Sequence, residues 1–580
     1  MRLPSLETLA HQAREVLFRF PWTLTAAVIA AAAALQGTAR PANADELARI
    51  GMAVALGIPL TLALTLFAEE RGWTPGRKAA LNAGGVVLLL VFYLVWPGPE
   101  RKHEVIRYLQ LSAGLHLLVA VLPFLGRDES RAFWQYNRRL FLGILRAAVF
   151  SAVLFAGLAI AIVALDQLFG VHVPEEVYPR LWIVVVFVLN TWIFLAEVPR
   201  GMGRLASDTS YPRVLKVFAQ YILTPLVFVY LAMLLAYLVK IILGGEWPSG
   251  WIGWLVTSVA VAGLLGFLLV HPLRNEPGEG WIRTYSRGLF IGLIPAAVVL
   301  LLAFWKRVLP YGWTELRLLG VLLGLWLLGI ALSYTLRPRA GIRPIPLTLA
   351  ALLLLTAYGP LSVTSLSVAS QGRRLARLIS QSDEANRERE ASAALRFLLE
   401  HGARRQVAAA FPSKLEPLNW DSLPDSPTLR DQAATRILKR AGLRYVPRFA
   451  MSDEGYVHLN AARHSATPIS GLEWMLNVSA GDTTTLVAGG DSVRVRFDTA
   501  TGIARVRAGS DTLVFDLGRL AAQVQDSAQS WSVAADRLRL EARSPTRRAV
   551  LALESINGRL QGDSIRVRGW QGRLFLGKAK

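Results

Sequence analysis

Apolar residues fall in eleven blocks along the first two thirds of the chain, and polar residues fill the short gaps between them. An α-helix rises 1.5 Å per residue, so about twenty apolar residues cross the roughly 30 Å hydrocarbon layer of a bilayer. The pattern therefore predicts an all-α polytopic membrane bundle of about eleven transmembrane helices. The predicted spans are Pro21–Gln36, Ile50–Ala68, Ala79–Trp96, Val105–Leu125, Phe141–Leu168, Leu181–Val198, Phe218–Leu243, Trp251–Val270, Gly288–Trp305, Leu316–Leu336 and Ile345–Val363.

Beyond Val368 the chain has the composition of a soluble protein. Helical periodicity continues to about residue 442, and after that strand patterns dominate. Val493, Val495 and Phe497 alternate with Arg494 and Arg496, as in a strand with one buried face. The sequence therefore predicts an α+β domain with a small antiparallel β sheet. The predicted division is an interfacial segment 1–20, a transmembrane domain 21–368, a helical connector 369–442 and a β-rich domain 443–580.

Two interpretations of the N-terminus remain open. The apolar residues between Ser5 and Phe20 share one helical face, which is typical of a helix lying in the membrane interface. The stretch from Trp22 to Ala44 instead resembles a cleavable signal peptide. The length of the leading segment favours an uncleaved anchor.

The net charge of +22 does not by itself indicate a nucleic-acid-binding protein. The basic residues lie in the short loops between spans or are spread along the last third, so no nucleic-acid partner is predicted, whereas membrane lipids are. Cytoplasmic loops of membrane proteins are enriched in Lys and Arg. A cytoplasmic N-terminus puts roughly twenty basic residues in cytoplasmic loops and seven in outer ones. An odd number of spans then places the C-terminal domain outside the cytoplasm.

Sequence motifs exclude several kinds of chemistry. The chain has no cysteine, which rules out disulfides, thiol nucleophiles and cysteine-ligated metals. It contains no GxxxxGK[ST], HExxH or GxSxG motif, and its eight histidines are scattered. No catalytic residue, cofactor or metal site is predicted.

Ionisable and tyrosine side chains at the span ends are the candidate site residues, because a charge in lipid is costly. One reading is structural ion pairing and snorkelling. The other is a polar pocket that opens outward and binds a small molecule or lipid headgroup. The outer-face set is Asp166, Arg180, Tyr237, Lys240, Tyr311, Glu315 and Arg317, with Tyr358 at similar depth. The inner-face set is Arg146, Glu197, Arg200 and His271, with Asn190 deeper.

Several motifs, read in order, resemble a bacterial membrane family known as domain of unknown function 4153. The resemblance covers roughly Arg138 to Val368 and implies a multi-pass bacterial membrane protein without an established activity. The motifs are Ala164–Gly170, Asn190–Pro199, Gln220–Lys240, Trp247–Trp251, His271–Pro272, Trp281–Arg283, Tyr311–Glu315 and Tyr358–Pro360.

Three functions are compatible with these features. The first is a non-catalytic envelope protein that presents the β-rich domain to a protein partner. The second is a transporter or lipid-handling protein with the outer polar residues as its site. The third, a membrane-embedded transferase, would rest on Asp166 and Glu315 alone and is the least favoured.

Overall fold

The structure is a computed structural model. It describes residues 6–39, 41–127, 129–201, 203–244, 251–380, 387–411, 427–446, 456–461, 471–481, 485–488, 491–527, 532–561 and 564–579. The motif residues 247–250 lie outside these ranges. The chain divides into two compact units, Met1–Ser370 and Gln371–Lys580.

Ten helical segments among the described residues are long and apolar enough to cross a membrane. Together with the antiparallel sheets that follow, they confirm the predicted fold class. The ten are Pro21–Ala39, Ala44–Glu70, Pro75–Val95, Lys102–Phe124, Ser130–Phe169, Val177–Glu197, Arg213–Ile241, Gly253–Arg274, Gly280–Tyr311 and Glu315–Leu336.

The helices of the first unit are numbered in chain order, and several spans contain more than one. They are α1 Leu6–Arg19, α2 Pro21–Ala39, α3 Ala44–Ala55, α4 Gly57–Glu70, α5 Pro75–Val95, α6 Lys102–Val121, α7 Ser130–Phe169, α8 Val177–Val184, α9 Asn190–Glu197, α10 Gly203–Ala206, α11 Arg213–Val217, α12 Thr224–Gly244, α13 Trp251–Val270, α14 Gly280–Tyr311, α15 Glu315–Leu336, α16 Pro344–Leu355 and α17 Val363–Ser380. π-Helical turns at Val185–Leu189 and Phe218–Leu223 join α8 to α9 and α11 to α12.

Apolar side chains cover the outside of the spans. On the 40-residue helix α7, Val153, Ile160 and Leu168 are 66%, 69% and 76% exposed. Such a surface is unfavourable in water and favourable against lipid tails. The first unit is therefore embedded in a membrane.

The predicted eleventh span, Ile345–Val363, needs correction. Its helix, α16, ends at Leu355 after 12 residues and is about 18 Å long, which is shorter than the hydrocarbon layer. The chain then turns through Gly359, whose φ of +88° suits a residue without a side chain, and Pro360 follows. Helix α17 begins at Val363, so this apolar segment is a broken helix.

Small residues allow the long helices to pack closely, as is common in membranes. A side chain on Gly320 of α15 would overlap the ring of Phe304 on α14, and one on Gly292 of α14 would meet Leu231 of α12. At the core, the rings of Phe290 and Tyr334 stack at 4.7 Å. These contacts pack α12 and α15 against α14.

The second unit contains helices and two β-sheets. Its helices are α18 Arg387–Glu400, α19 Arg404–Ala410, α20 Pro427–Arg440 and α21 Leu517–Ser527. Its strands are β1 Tyr456–Ala461, β2 Trp474–Ser479, β3 Thr485–Ala488, β4 Asp491–Asp498, β5 Ile503–Ala508, β6 Asp511–Asp516, β7 Ser532–Val533, β8 Arg539–Arg543, β9 Arg547–Gln561 and β10 Ser564–Lys578. One sheet has the order β2-β10-β9-β1-β7 with β8 also paired to β9, and the other has the order β3-β4-β5-β6.

The alternation predicted for β4 is present in the structure. Val493 and Val495 are buried, whereas Arg494 and Arg496 are exposed. All pairs are antiparallel except the two-residue pairing of β1 with β7. The buried faces of both sheets and one face of α21 share a hydrophobic core. The separate boundary predicted at residue 442 stays a prediction.

Candidate functional site

A buried ion pair lies at the start of α6. Arg107 Nη1 donates to both carboxylate oxygens of Glu104, each at 2.7 Å, from one turn further along the helix. Only 6% of the Glu104 side chain and 14% of the Arg107 side chain are exposed. His103 Nε2 lies 3.3 Å from the same carboxylate. The charge of Glu104 is therefore compensated within a single helical turn.

The turn after α16 packs against this ion pair. The Arg107 guanidinium carbon lies 4.6 Å from the ring centre of Tyr358, which is a cation–π contact. Gln110 Nε2 donates to the carbonyl oxygen of Leu353 at 3.0 Å and to Thr356 Oγ1 at 2.7 Å. The break between α16 and α17 is thus fixed to the side of α6.

Trp96 and Arg49 close the other side of this region. Trp96 is fully buried and stacks on Phe92 at 5.2 Å and on Tyr108 at 5.6 Å. Arg49 Nη2 donates to the carbonyl oxygens of Tyr93 and Trp96 at 3.1 Å, which caps the C-terminal end of α5. The aromatic–polar cluster consists of Arg49, Trp96, Glu104, Arg107, Gln110 and Tyr358.

Several buried polar atoms of the aromatic–polar cluster have no hydrogen-bond partner within the described ranges. They are Arg49 Nε, Trp96 Nε1, Arg107 Nε, Gln110 Oε1 and the Tyr358 hydroxyl. Leaving such an atom unpaired costs roughly 1–3 kcal/mol. Three of the five are N–H donors and the Tyr358 hydroxyl can also donate, so the group best complements a ligand rich in acceptor oxygens, such as a carboxylate or phosphate.

The candidate residues predicted on α7 and α8 each contact a neighbour in sequence. Asp166 Oδ1 lies 3.7 Å from Nδ1 of the exposed His172. Arg180 Nη2 donates to Glu176 Oε2 at 2.6 Å, one turn earlier. Both contacts are local and lie at the end of a span.

The candidate residues on α12, α14 and α15 differ in their surroundings. Arg317 Nη1 donates to the carbonyl oxygen of Gly312 at 2.9 Å, and its guanidinium carbon is 5.5 Å from the ring centre of Tyr311. Glu315 is buried at the first residue of α15, a position where the helix dipole favours a carboxylate. Tyr237 packs at the edge of the hydrophobic core, and Lys240 is exposed. The structure brings Tyr311 and Arg317 together; a single outer network that also includes Asp166 and Lys240 stays a prediction.

Comparison with known proteins now assigns a family. The model of the family described as "Domain of unknown function (DUF4153)" matches residues 23–386, more than half of the chain. The chain belongs to the DUF4153 family. This confirms the resemblance in the motifs and extends it to the first four spans.

One similar protein matches about half of this chain. A protein of Pasteurella multocida (strain Pm70), described as uncharacterized, is 23% identical over 320 residues, which are 55% of this chain and 52% of the relative. The chain therefore aligns with about half the length of that protein. No solved structure matches this DUF4153 chain.

The inner-face candidates of the DUF4153 chain each contact another polar side chain, in three of the four pairs from a different part of the chain. Arg146 of α7 donates to Glu197 of α9 at 2.5 Å. Ser151 Oγ lies 3.3 Å from Asn190 Oδ1, deeper in the same pair of helices. Arg200 Nη2 lies 3.2 Å from Glu15 of α1. His271 lies 3.4 Å from Arg274 in the turn after α13.

The motifs did not predict a further inner-face arginine, Arg19. It donates to both oxygens of Glu69 on α4, with the shortest distance 2.9 Å. The same guanidinium donates to the carbonyl oxygens of Val198 and Pro199, each at 2.8 Å. Arg19 therefore ties α1 and α4 to the backbone after α9.

The loop between α10 and α11 carries a strongly stabilised carboxylate. Ser210 donates to Asp208 Oδ1 from its hydroxyl at 2.6 Å and from its backbone at 2.9 Å. Arg139 Nη2 donates to Oδ2 at 3.0 Å. These hydrogen bonds, Ser210 first, lower the pKa of Asp208 to about 2. The loop is thereby fixed to the start of α7 by a carboxylate that is ionised at neutral pH.

Proposed function

We propose that this DUF4153 protein is a non-catalytic envelope protein of the bacterial inner membrane. Its helical bundle anchors the chain, with the N-terminus in the cytoplasm. The second unit lies outside the cytoplasm and is available there to a protein partner.

The observation that carries this proposal is how the membrane unit uses its buried charges. Glu104 is compensated by Arg107, and Arg19 is bound by Glu69 and two backbone carbonyls. Groups bound in this way fix helices to each other. A catalytic acid or base would instead need access to a substrate proton. The compact second unit is then the part that remains for partner binding.

The distribution of basic residues supports the orientation. Arg71, Arg77 and Lys78 flank the turn between α4 and α5, and Arg127, Arg131, Arg138 and Arg139 flank the start of α7. Both turns lie on the cytoplasmic side in this topology. An eleventh crossing is needed to place the second unit outside. We assign it to α16, the turn at Gly359 and the apolar start of α17, because broken helices cross membranes where neighbouring helices satisfy their backbone.

Reporter fusions test the orientation. Alkaline phosphatase fused after Lys580 should be active, and a fluorescent protein at the same place should be dark. Matched controls are fusions after Gly72, which should give a fluorescent and phosphatase-inactive product, and after Gly98, which should give the reverse. A fluorescent C-terminal fusion beside correct controls would refute an extracytoplasmic second unit.

Partner binding is tested on the full-length chain in living cells. A photo-crosslinking residue at the exposed Trp474 or Met475 of β2 should capture the same protein, whereas one at the buried Val493 should not. Loss of that adduct when the captured protein is deleted, and its return on complementation, would support partner binding. A pattern that is identical at all three positions would contradict it.

A second candidate function is binding of a small anionic ligand at the aromatic–polar cluster. The unpaired buried donors Arg49 Nε, Trp96 Nε1 and Arg107 Nε favour it. Phosphate, acetate and a dicarboxylate should be compared for their effect on the melting temperature of the purified protein. Stabilisation that is lost in Trp96→Phe but kept in Trp305→Phe would support a site. Equal responses of wild type and Trp96→Phe would argue against it.

A further inference from the structure

An open cavity of about 740 Å³ lies where α1 meets the end of α4, the start of α5 and the segment after α9. Charged side chains and one aromatic ring form its wall. Beside Arg19 the lining residues include Arg14, Glu15, Phe18, Glu69, Lys78 and Arg200. The cavity shares no lining residue with the aromatic–polar cluster.

Positive charge in this cavity exceeds negative charge. Four of its lining residues are Arg or Lys, and two are Glu. Both carboxylates already have partners, because Glu69 binds Arg19 and Glu15 binds Arg200. Arg14 and Lys78 have no ion-pair partner in the part of the chain that the structure describes. The positive charges of Arg14 and Lys78 therefore line the cavity without a neutralising carboxylate among the described residues.

One exposed apolar side chain, Phe18, lines the same cavity, and the exposed Leu17 is its neighbour in sequence. Phe18 is 70% exposed and Leu17 is 46% exposed on the helix α1, whose polar and apolar residues lie on different faces. The Arg14 guanidinium carbon lies 5.6 Å from the ring centre of Phe18, one turn away. An apolar ring next to a basic group is the arrangement expected of a helix lying in the membrane interface.

We propose that this cavity binds the headgroup of an anionic phospholipid. The phosphate lies against Arg14 and Lys78, and the acyl chains run along Phe18 and Leu17 into the bilayer. A soluble anion would contact the basic residues alone, whereas a lipid contacts both the basic residues and the exposed apolar side chains of α1. Basic pockets next to membrane helices recognise such headgroups. The Arg19–Glu69 pair forms the wall of the cavity and keeps α1 in place. The site does not depend on which partner the second unit binds.

The test uses the full-length protein in detergent and native mass spectrometry of retained lipid. Wild type should retain phosphatidylglycerol in preference to phosphatidylcholine. Each removed charge near an anionic lipid weakens binding about fivefold, so Arg14→Gln with Lys78→Gln should weaken phosphatidylglycerol binding about 25-fold. The matched control is Arg77→Gln, which removes an exposed basic residue next to Lys78 but outside the cavity, and it should leave retention unchanged.

Two further measurements separate a lipid site from an anion site and from a folding defect. Phe18→Ala should weaken phosphatidylglycerol binding but leave any binding of inorganic phosphate unchanged. Melting temperatures without lipid should match between wild type and the double variant; if they differ, Lys78→Gln alone carries the test. Equal retention of phosphatidylcholine, displacement of the lipid by equimolar inorganic phosphate, or unchanged retention in the charge variants would each overturn the proposal.

Discussion

Arg19 and Glu69 form a bidentate ion pair between α1 and α4, across fifty residues of sequence. The side chains are 12% and 24% exposed, so both charges have lost most of their water. The Arg19 guanidinium replaces its lost hydrogen bonds to water with hydrogen bonds to one carboxylate and two backbone carbonyls. This single guanidinium therefore joins α1 both to α4 and to the backbone after α9.

Removing either partner of this pair should destabilise the protein strongly. Breaking a buried ion pair costs about 3–5 kcal/mol, because the remaining charge keeps its desolvation penalty. We expect Arg19→Met to cost more than Glu69→Gln, since Arg19 also binds the carbonyl oxygens of Val198 and Pro199. The free energy of unfolding in detergent measures this.

The control for this experiment is an exposed local pair. Glu176 and Arg180 lie one turn apart and are 66% and 38% exposed. Exposed pairs of this kind contribute about 0.3–0.5 kcal/mol. Glu176→Gln should therefore change stability far less than Glu69→Gln. Equal effects of the two substitutions would mean that Arg19 and Glu69 are not coupled.

Sequence alone predicted the membrane helices well, because a span must satisfy its own backbone and so needs a long apolar run. It predicted the end of α16 poorly. The residues after Leu355 are apolar enough to continue, but Gln110 of α6 binds Leu353 and Thr356, and Gly359 reverses the chain. These contacts join residues about 240 positions apart, which no local pattern reveals.

The buried charges were harder to predict than the helices. The span predicted to begin at Val105 left Glu104 outside the membrane, although Glu104 and Arg107 at one-turn spacing were a usable signal. Two of the acceptors of Arg19 are backbone carbonyls, which carry no sequence signature. Tyr358 was singled out by its depth and by the motif Tyr358–Pro360, but its contact with Arg107 is a tertiary one that no local pattern reveals.

The second unit should fold without the first. Its hydrophobic core is formed by its own strands and α21. A fragment from Gln371 to Lys580 should be soluble without detergent, with circular dichroism that shows both strand and helix. Val493→Asp places a charge at a fully buried position of β4 and should abolish folding, whereas Arg494→Ser on the exposed face should not. An aggregated wild-type fragment would count against an independent domain.

Low pH should destabilise the fold by protonating Asp208, whose carboxylate fixes the loop between α10 and α11 to α7. The pKa of Asp208 is about 2 in the folded protein, below the value of about 3.9 in an unfolded chain. The ionised form therefore stabilises the fold fully above pH ~4, and this contribution is lost as the pH falls through 2. Melting temperatures between pH 2 and 6 should fall less steeply for Asp208→Asn than for wild type. Parallel curves would show that this carboxylate is not linked to folding.

A connected network of charged side chains at the outer face is a separate prediction. We expect Asp166, Lys240, Glu315 and Arg317 to belong to one connected network at the outer face, because the fifth, seventh and tenth predicted spans bring charges to the same depth. Asp166→Asn, Lys240→Met and the double variant should then be non-additive in thermal stability. The same comparison of two single variants with the double variant applies to Glu315 and Arg317. Strictly additive, small effects would leave only the local contacts of Asp166 and Arg317.

Glu104 and Arg107 allow the sharpest separation of a structural role from a binding role. Glu104→Gln alone should destabilise the protein by a few kcal/mol, because Arg107 keeps its charge in a site that is 14% exposed. Glu104→Gln with Arg107→Met should recover much of that loss, since both charges are then absent. The rest of the cluster would still pack through Tyr358, Trp96 and Gln110.

The ligand response of the double variant decides between the two roles. If the pair only fixes helices, the double variant should melt near the wild-type temperature and respond to anions as wild type does. If Arg107 also contributes a binding donor, stabilisation by phosphate or carboxylates should disappear even though folding is restored. Trp96→Phe serves as the comparison, because it removes an unpaired donor without touching the charges. Loss of the anion response in both variants, with stability kept, is the result expected of a ligand site.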